Sequence, residues 1–243
     1  MPRPAWQQMA IDRALAELAA QRGTTIFRLY RWQHDTISLG ANEAARRTWD
    51  RDRITERGVA IVRRPTGGRG VWHDRDDLTY AVTGPLTIWG SLRTAYQAIH
   101  QLLAAALART SEAPVMLAPA TTRPTLAPGA CFDLAIGGEV LVGGRKTIGS
   151  AQALFGPALL QHGAIALADR SAALARFTLT RTTTDDAPAL SPEVGTEPVA
   201  AAILATWAAA GAVTIAPGDI ADAVARAAPW QARFDDPEWT WRR

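Results

Sequence analysis

A pair of adjacent glycines constrains the fold of this 243-residue chain more tightly than any other feature. Gly143 and Gly144 follow a short apolar run, Val-Leu-Val, at 140–142. A glycine pair after such a run is a signal for a tight turn between two antiparallel strands. We therefore predict a β-hairpin whose returning strand begins at Lys146 and continues through Ile148.

The same region holds two residue types that occur once in the chain. Lys146 is the only lysine among 26 lysines and arginines, and Cys131 is the only cysteine. An arginine spreads its charge over a planar fork, whereas a lysine ammonium is compact and can be activated. We therefore predict that Lys146 serves chemistry; the alternative is that composition bias left one lysine by chance. Cys131 lies just before the hairpin, which could bring the thiol and the ammonium together.

The composition excludes several classes of protein. The chain is 48% hydrophobic and 20% charged, which is typical of a globular protein. It contains no apolar run of membrane-spanning length and no signal-peptide core, so we predict a cytoplasmic protein that does not bind membranes. One cysteine fits a reducing compartment, and no Cys/His spacing suggests a metal site. The net charge of +3 comes without a basic block for nucleic acid, but it permits an acidic protein partner.

Hydrophobic spacing predicts a mixed α/β chain. We predict one domain over 1–243, with a short helical C-terminal tail from about 198. The last segment, 230–243, carries three tryptophans, and we expect it to pack back on the body. His100 is expected at the surface or edge of its helix. The predicted helices cover 6–21, 49–58, 92–109, 198–210 and 219–228. The predicted strands cover 26–32, 36–40, 59–64, 78–82 and 158–167.

A segment rich in glycine and arginine at 63–74 is the next candidate for a site. Its glycines allow tight turns and a close approach of the backbone to a ligand. Arg64 could hold an anion or a partner's carboxylate, and His73 could act in acid–base chemistry or orient a carbonyl. The alternative is a glycine-rich hairpin with solvated arginines.

A polar pair, Gln161 and His162, interrupts an otherwise apolar strand. A buried histidine with hydrogen-bond partners would explain it without any function. Because Gly163 follows, we favour a role in lining a site.

Three motifs resemble those of the biotin/lipoate protein ligase and octanoyltransferase superfamily. RRPTGGRGVWH at 63–73, followed by DLTY at 77–80, resembles the signature RRxTGGRAVxH with its ELTY-like continuation. GRKTIGSAQ at 144–152 resembles GrKxxGSAQ, and QHGAI at 161–165 resembles QHGxI. The resemblance extends over roughly 6–167. It implies an α/β fold of α+β type, in which a mixed β-sheet is flanked by helices as in biotin and lipoate ligase catalytic domains.

Two residues favour one branch of that superfamily. ATP-dependent lipoate ligases usually carry a third glycine where this chain has Arg69. Cys131, between alanine and phenylalanine, resembles the cysteine of the octanoyltransferases of lipoate assembly. There are departures: Gly70 stands where alanine is usual, and Ala153-Leu154 where many relatives place a basic residue.

The resemblance implies a reaction and its partners. Octanoate would pass from acyl carrier protein to Cys131, and then to a lysine of a lipoyl domain or of the glycine-cleavage H protein. It implies no cofactor, no nucleic acid and a monomer. The implied catalytic residues are Cys131 and Lys146. The implied substrate-binding residues are Arg64, Thr66, Gly67, Gly68, Arg69, Gly70, His73, Gly149, Ser150, Ala151, His162, Gly163 and Ala164.

Two other functions stay open at this point. One is an ATP-dependent lipoate ligase core, and the other is a non-catalytic protein that binds lipoyl domains on the same scaffold. Retention of both Cys131 and Lys146 argues against the second. The sequence does not distinguish acyl carrier protein from an octanoylated H protein as the donor, nor an octanoyl from a lipoyl preference.

Overall fold

A computed structural model describes residues 2–119, 138–167, 171–179, 195–211, 213–214 and 217–243. Cys131 lies outside the described residues. The helices are α1 (Ala5–Arg22), α2 (Ala45–Thr48), α3 (Arg51–Glu56), α4 (Leu86–Trp89), α5 (Leu92–Leu107), α6 (Ser171–Ala175), α7 (Thr196–Ala209), α8 (Pro217–Asp235) and α9 (Pro237–Thr240). The strands are β1 (Ile26–Tyr30), β2 (Thr36–Leu39), β3 (Ala60–Arg63), β4 (Val71–His73), β5 (Leu78–Pro85), β6 (Val115–Leu117), β7 (Val140–Val142), β8 (Arg145–Lys146), β9 (Ile148–Phe155), β10 (Ala158–Ile165) and β11 (Val213–Thr214). Within these ranges, none of the helices combines the length and the apolarity needed to cross a bilayer.

The described part of the chain contains three sheets. The largest has the strand order β11-β1-β5-β10-β9, in which only the β1–β11 pair is parallel. A smaller mixed sheet has the order β3-β2-β4, and an antiparallel one has the order β6-β7-β8. The predicted fold class, a mixed β-sheet flanked by helices, is confirmed.

Strands β1, β5 and β10 of the central sheet are buried on both faces. Ile26 of β1 and Leu160 of β10 pack against α1 and α8 on one face. Phe27 and Leu159, each one position away, face α5 and α7 on the other. Successive side chains of a strand point to opposite faces, so a strand covered on both sides becomes a continuous apolar run. This burial explains the apolar segment around the pair Gln161–His162.

The predicted hairpin is confirmed. Strands β7 and β8 pair antiparallel, with Leu141 opposite Lys146. Gly143 and Gly144 form the two-residue turn with φ values of +57° and +79°. A type I′ turn requires a positive φ at both central positions, where glycine carries no steric penalty.

Two expectations about the helices were wrong. His100 is fully buried, because α5 lies between the central sheet and the short sheet β6-β7-β8. Helix α8 also runs on through Pro229 to Asp235, beyond the predicted end at 228. The expected packing of the tail is confirmed: Trp241 is buried, and Arg63 Nε donates to the Thr240 carbonyl at 2.9 Å.

Candidate active site

The three sequence motifs meet at one cavity that is open to solvent. It lies where β9 and β10 face the loop between β3 and β4. The predicted site residues that line it are Arg64, Gly68, His73, Gly149, Ser150, Ala151, His162, Gly163 and Ala164. Lining residues that sequence analysis missed are Met9, Tyr30, Trp32, Ser38, Val71 and Thr79. These come from distant elements, so the cavity is a product of the tertiary fold.

Gly163 lets two of the motifs close on each other. It pairs with Ser150 across the β9–β10 ladder. A Cβ at position 163 would lie 2.6 Å from the Gly149 carbonyl oxygen and 2.7 Å from Ser150 Oγ. Both distances are shorter than van der Waals contact, so a side chain at this position would force the strands apart.

Arg64 holds the glycine-rich loop in place. Its guanidinium donates to Ser38 Oγ at 2.8 Å and to the carbonyls of Gly67 and Arg69 at 3.0 and 2.9 Å. The side chain is buried. These contacts fix the position of Gly68 at the cavity wall.

Four predicted residues of this loop do not line the described cavity. Gly67 and Arg69 lie in the loop that Arg64 binds, while Thr66 is fully buried behind the wall. Gly70 accommodates Trp49, because a Cβ at 70 would lie 2.1 Å from the indole Cζ2. The change from the usual alanine is therefore matched by an aromatic neighbour.

His162 is a buried connector as well as a lining residue. Its Nδ1 lies 3.0 Å from Asp12 Oδ2, and its Nε2 lies 2.6 Å from Thr66 Oγ1. Asp12 is also bound by Arg28 Nη1 at 2.6 Å and by the Tyr30 hydroxyl at 3.0 Å. Because both ring nitrogens have hydrogen-bond partners, the imidazole is held in one orientation in the cavity wall and links Asp12 to Thr66. Asp12 was missed, although an acidic residue on the apolar stripe of α1 could have pointed to it.

His73 is held neutral. Burial lowers its pKa well below 6.5, and the positive charge of Arg64 acts in the same direction. Its Nε2 lies 2.7 Å from Ser38 Oγ, and its ring stacks on Trp32 with centroids 4.4 Å apart. A neutral imidazole can orient a carbonyl group but cannot hold an anion by charge.

His100 directs the hydroxyl of Ser150. Its Nδ1 lies 2.7 Å from the Gly138 carbonyl oxygen, and its Nε2 lies 2.8 Å from Ser150 Oγ. Burial lowers the pKa of His100 to about 4; the Gly138 carbonyl opposes this, and the charge of Lys146 adds to it. A neutral ring that donates from Nδ1 accepts at Nε2. The Ser150 hydroxyl therefore donates a hydrogen bond to His100 Nε2.

A hydrogen-bond chain fixes the same hydroxyl from the other side. The Tyr80 hydroxyl lies 2.6 Å from Ser150 Oγ and accepts from Gln161 Nε2 at 2.9 Å. Gln152 Nε2 in turn donates to Gln161 Oε1 at 2.8 Å. Burial raises the pKa of Tyr80 above its usual value, so the phenol keeps its proton and donates to Ser150. The orientation of Ser150 in the cavity is thereby set.

Lys146 forms an ion pair behind this wall. Its Nζ lies 2.7 Å from Glu139 Oε1, and the two side chains are only 6% and 4% exposed. Lys146 does not line the described part of the cavity, but its charge acts on His100, which contacts Ser150. Sequence analysis did not single out Glu139.

The buried His100 predicts a pH-dependent stability. Unfolded, this histidine takes up a proton near pH 6.5, whereas in the fold its pKa is about 4. Its contribution to stability is therefore complete above pH 6.5 and is lost as the pH falls towards 4. In urea unfolding experiments, the free energy of unfolding of the wild type should fall between pH 7 and pH 5. In His100→Asn this fall should be about 2 kcal/mol smaller.

The exposed His34 provides the matched control for this measurement. His34→Asn should keep the wild-type difference between pH 7 and pH 5. An equal pH dependence in His100→Asn and wild type would contradict the prediction.

Comparison with known proteins places these motifs in a family. The family model of the lipoyl protein ligase A/B catalytic domain matches residues 4–193. The curated octanoyltransferase LipM of Moorella thermoacetica is 41% identical over 67% of this chain and 61% of its own length. LipM of Kyrpidia tusciae is 33% identical over 97% of this chain and 94% of its own length. This chain therefore spans about 61% of the length of several curated relatives, among them LipM of Moorella thermoacetica and LipM of Staphylococcus aureus.

Solved structures share the fold at low sequence identity. Lipoate-protein ligase A bound with ATP has a TM-score of 0.80 at 18% identity, covering 99% of this chain and 95% of that chain. A putative lipoate protein ligase from T. acidophilum with bound lipoic acid has a TM-score of 0.75 at 18% identity, with 99% and 96% covered.

Proposed function

Because the chain belongs to the lipoyl protein ligase A/B catalytic-domain family, we propose that it is an octanoyltransferase of lipoate assembly. The observation that carries this proposal is the meeting of all three motifs at one cavity. The names of its relatives, octanoyltransferase LipM, support the choice of reaction.

The cavity suits a medium-length acyl chain. Met9, Trp32, Val71, Ala151 and Ala164 give it apolar surface. Burial of each methylene contributes about 0.8 kcal/mol, so an octanoyl chain would gain most of its affinity from this surface. The neutral His73 provides a polar group for the carbonyl end.

The proposed reaction has two acyl-transfer steps through Cys131. First, the Cys131 thiolate attacks the thioester carbonyl of the donor; a C–S bond to Cys131 forms, the C–S bond to the donor breaks, and the donor leaves as a thiolate. Second, a lysine amine of the acceptor attacks the Cys131 thioester; an amide forms, and the Cys131 thiol is released. Exchange of one thioester for another is nearly balanced in free energy, and amide formation from a thioester is downhill. Neither step requires ATP.

The proposed role of Lys146 is electrostatic. Its ammonium would favour the thiolate form of Cys131 and donate to the carbonyl oxygen as negative charge develops. Backbone N–H groups of Gly149 or Ser150 would assist at the same oxygen. The buried pair with Glu139 keeps this donor in a fixed place.

The proposed partners follow from the chemistry of the two steps. The donor is acyl carrier protein or an octanoylated H protein, and the acceptor is a lipoyl domain or the H protein. We propose a monomeric, single-domain enzyme over 1–243 that acts in the cytoplasm without a cofactor.

Intact-mass spectrometry tests the proposal. The protein is incubated with octanoyl-acyl carrier protein without nucleotide, and a lipoyl domain is then added. We expect one octanoyl adduct on the enzyme, followed by its transfer to the lipoyl domain. Hexadecanoyl-acyl carrier protein serves as the control for chain length. A protein that binds the lipoyl domain but never acquires or transfers an acyl group would instead be the non-catalytic binder.

An ATP-dependent ligase is the second candidate, favoured by the TM-score of 0.80 to an ATP-bound ligase. We propose that Arg69 takes the space and charge where ligases seat a nucleotide phosphate. Octanoate with ATP and Mg²⁺ should therefore give no modified lipoyl domain, whereas octanoyl-acyl carrier protein should give one. A product that forms only in the ATP mixture would contradict the transferase assignment.

A further inference from the structure

The lone lysine is held by a buried carboxylate. Glu139 Oε1 lies 2.7 Å from Lys146 Nζ, and both side chains are almost fully excluded from solvent. A charge in such a place is strongly destabilising without a counter-charge. The carboxylate of Glu139 therefore helps to stabilise an ammonium at this position.

The backbone of the hairpin fixes both ends of the ion pair. The Glu139 carbonyl accepts from the Ala118 N–H at 2.7 Å, immediately before β7. Lys146 pairs with Leu141, and the Thr147 N–H donates to the Val140 carbonyl at 3.0 Å. Because the two residues flank one tight turn, the register of the hairpin sets their separation.

The ion pair is connected to the cavity through His100. The charge of Lys146 contributes to the lowered pKa of His100 on α5, and His100 Nε2 contacts Ser150 Oγ in the cavity wall. The adjacent Arg145 is exposed, on the opposite face of β8. Glu139 and the neutral His100 thus both act on Lys146 or are acted on by it.

We propose that Glu139 is a positioning residue for Lys146 in acyl transfer. This inference rests on the proposed function. In the proposed role Lys146 donates an N–H to the carbonyl oxygen, so the direction of that N–H bond matters as well as the charge. Glu139 fixes that direction, and an ammonium released from it would be misplaced relative to the reacting carbonyl.

The single lysine gives a direct readout of this geometry. In protein labelled with ¹³C-lysine, Lys146 contributes the only εCH₂ signal. A side chain held in one rotamer should show two resolved Hε shifts, which average to one when the side chain rotates freely. We expect two shifts in wild type and one averaged shift in Glu139→Gln, which keeps the shape of the side chain but removes its charge.

Kinetics provide the second readout. With octanoyl-acyl carrier protein, Glu139→Gln should lower kcat about 10²-fold with little change in KM. Glu139→Asp, which retains the carboxylate, should recover part of kcat. The matched control is Glu197→Gln, which removes an exposed ion pair with Arg31 and should leave kcat unchanged.

The outcomes separate this inference from the proposed function. Wild-type kcat in Glu139→Gln overturns the positioning role, whatever the lysine signal shows. If the wild-type protein transfers no octanoyl group, the proposed function fails. In that case the NMR readout alone decides on the role of Glu139, and two resolved Hε shifts in Glu139→Gln would overturn the inference as well. Should Glu139→Gln fail to fold, Glu139→Asp carries the test: a wild-type kcat together with an averaged lysine signal would overturn it.

Discussion

Cys131→Ser should abolish octanoyl transfer in the nucleotide-free assay and leave the temperature of thermal unfolding unchanged. This is the largest effect we expect. Cys131 is the only thiol of the chain, so no other thiol can replace it as the proposed acyl carrier. A serine hydroxyl is a weak nucleophile unless an adjacent base activates it. Intact-mass spectrometry should show no octanoyl adduct on the variant and no octanoyl group on the lipoyl domain.

Two controls make the Cys131 result decisive. Cys131→Ala should be equally inactive, which shows that loss of the thiol and not the added hydroxyl is responsible. Binding of the lipoyl domain should persist in both variants. Full transfer by Cys131→Ser would exclude a covalent thioester on this residue and favour the ligase alternative.

Lys146→Arg should lose most of the activity although it conserves charge. Removing one donor to a developing oxyanion typically lowers the rate by about 10²–10³. The ammonium lies in a closed site against Glu139, and the wide planar fork of arginine does not match the compact group that it would replace. Lys146→Ala should lose at least as much. Single-turnover transfer from octanoylated enzyme to the lipoyl domain measures the effect.

Stability must be separated from catalysis at this site. Lys146→Ala removes the counter-charge that lies 2.7 Å from the buried carboxylate of Glu139, and breaking a buried ion pair typically destabilises by about 3–5 kcal/mol. The double variant Lys146→Met/Glu139→Gln removes both charges and should regain stability without regaining activity. The exposed Arg145 offers a control on the same strand, because Arg145→Lys should behave as wild type.

Alkylation of Cys131 tests the influence of Lys146 on the thiol. The rate of reaction with iodoacetamide at neutral pH should fall in Lys146→Ala, since a nearby positive charge favours the thiolate. If Lys146→Arg transfers octanoate at a near wild-type rate, the lone lysine is an accident of composition and the proposed mechanism is wrong at its centre.

The sequence by itself determined the local structure of the motifs. The glycine pair at 143–144 predicted the hairpin, and the apolar spacing in α1 and α5 predicted helices close to their observed bounds. Such features depend on near neighbours: a positive φ requires glycine, and the 3.6-residue period places one stripe of side chains in the core. Most of the motif residues at the cavity wall were implied by the family resemblance, which is carried by three short segments.

Only the tertiary structure decided which polar groups meet. Asp12 lies 150 positions from His162 yet binds its imidazole, His100 reaches Ser150 from the next layer, and Glu139 faces Lys146. A periodic pattern tells which side chains leave water, but it does not identify their neighbours, because those depend on how separate elements pack. His100 shows the limit most clearly: a histidine in a helix usually lies at the surface, and only its partners Gly138 and Ser150 make burial favourable.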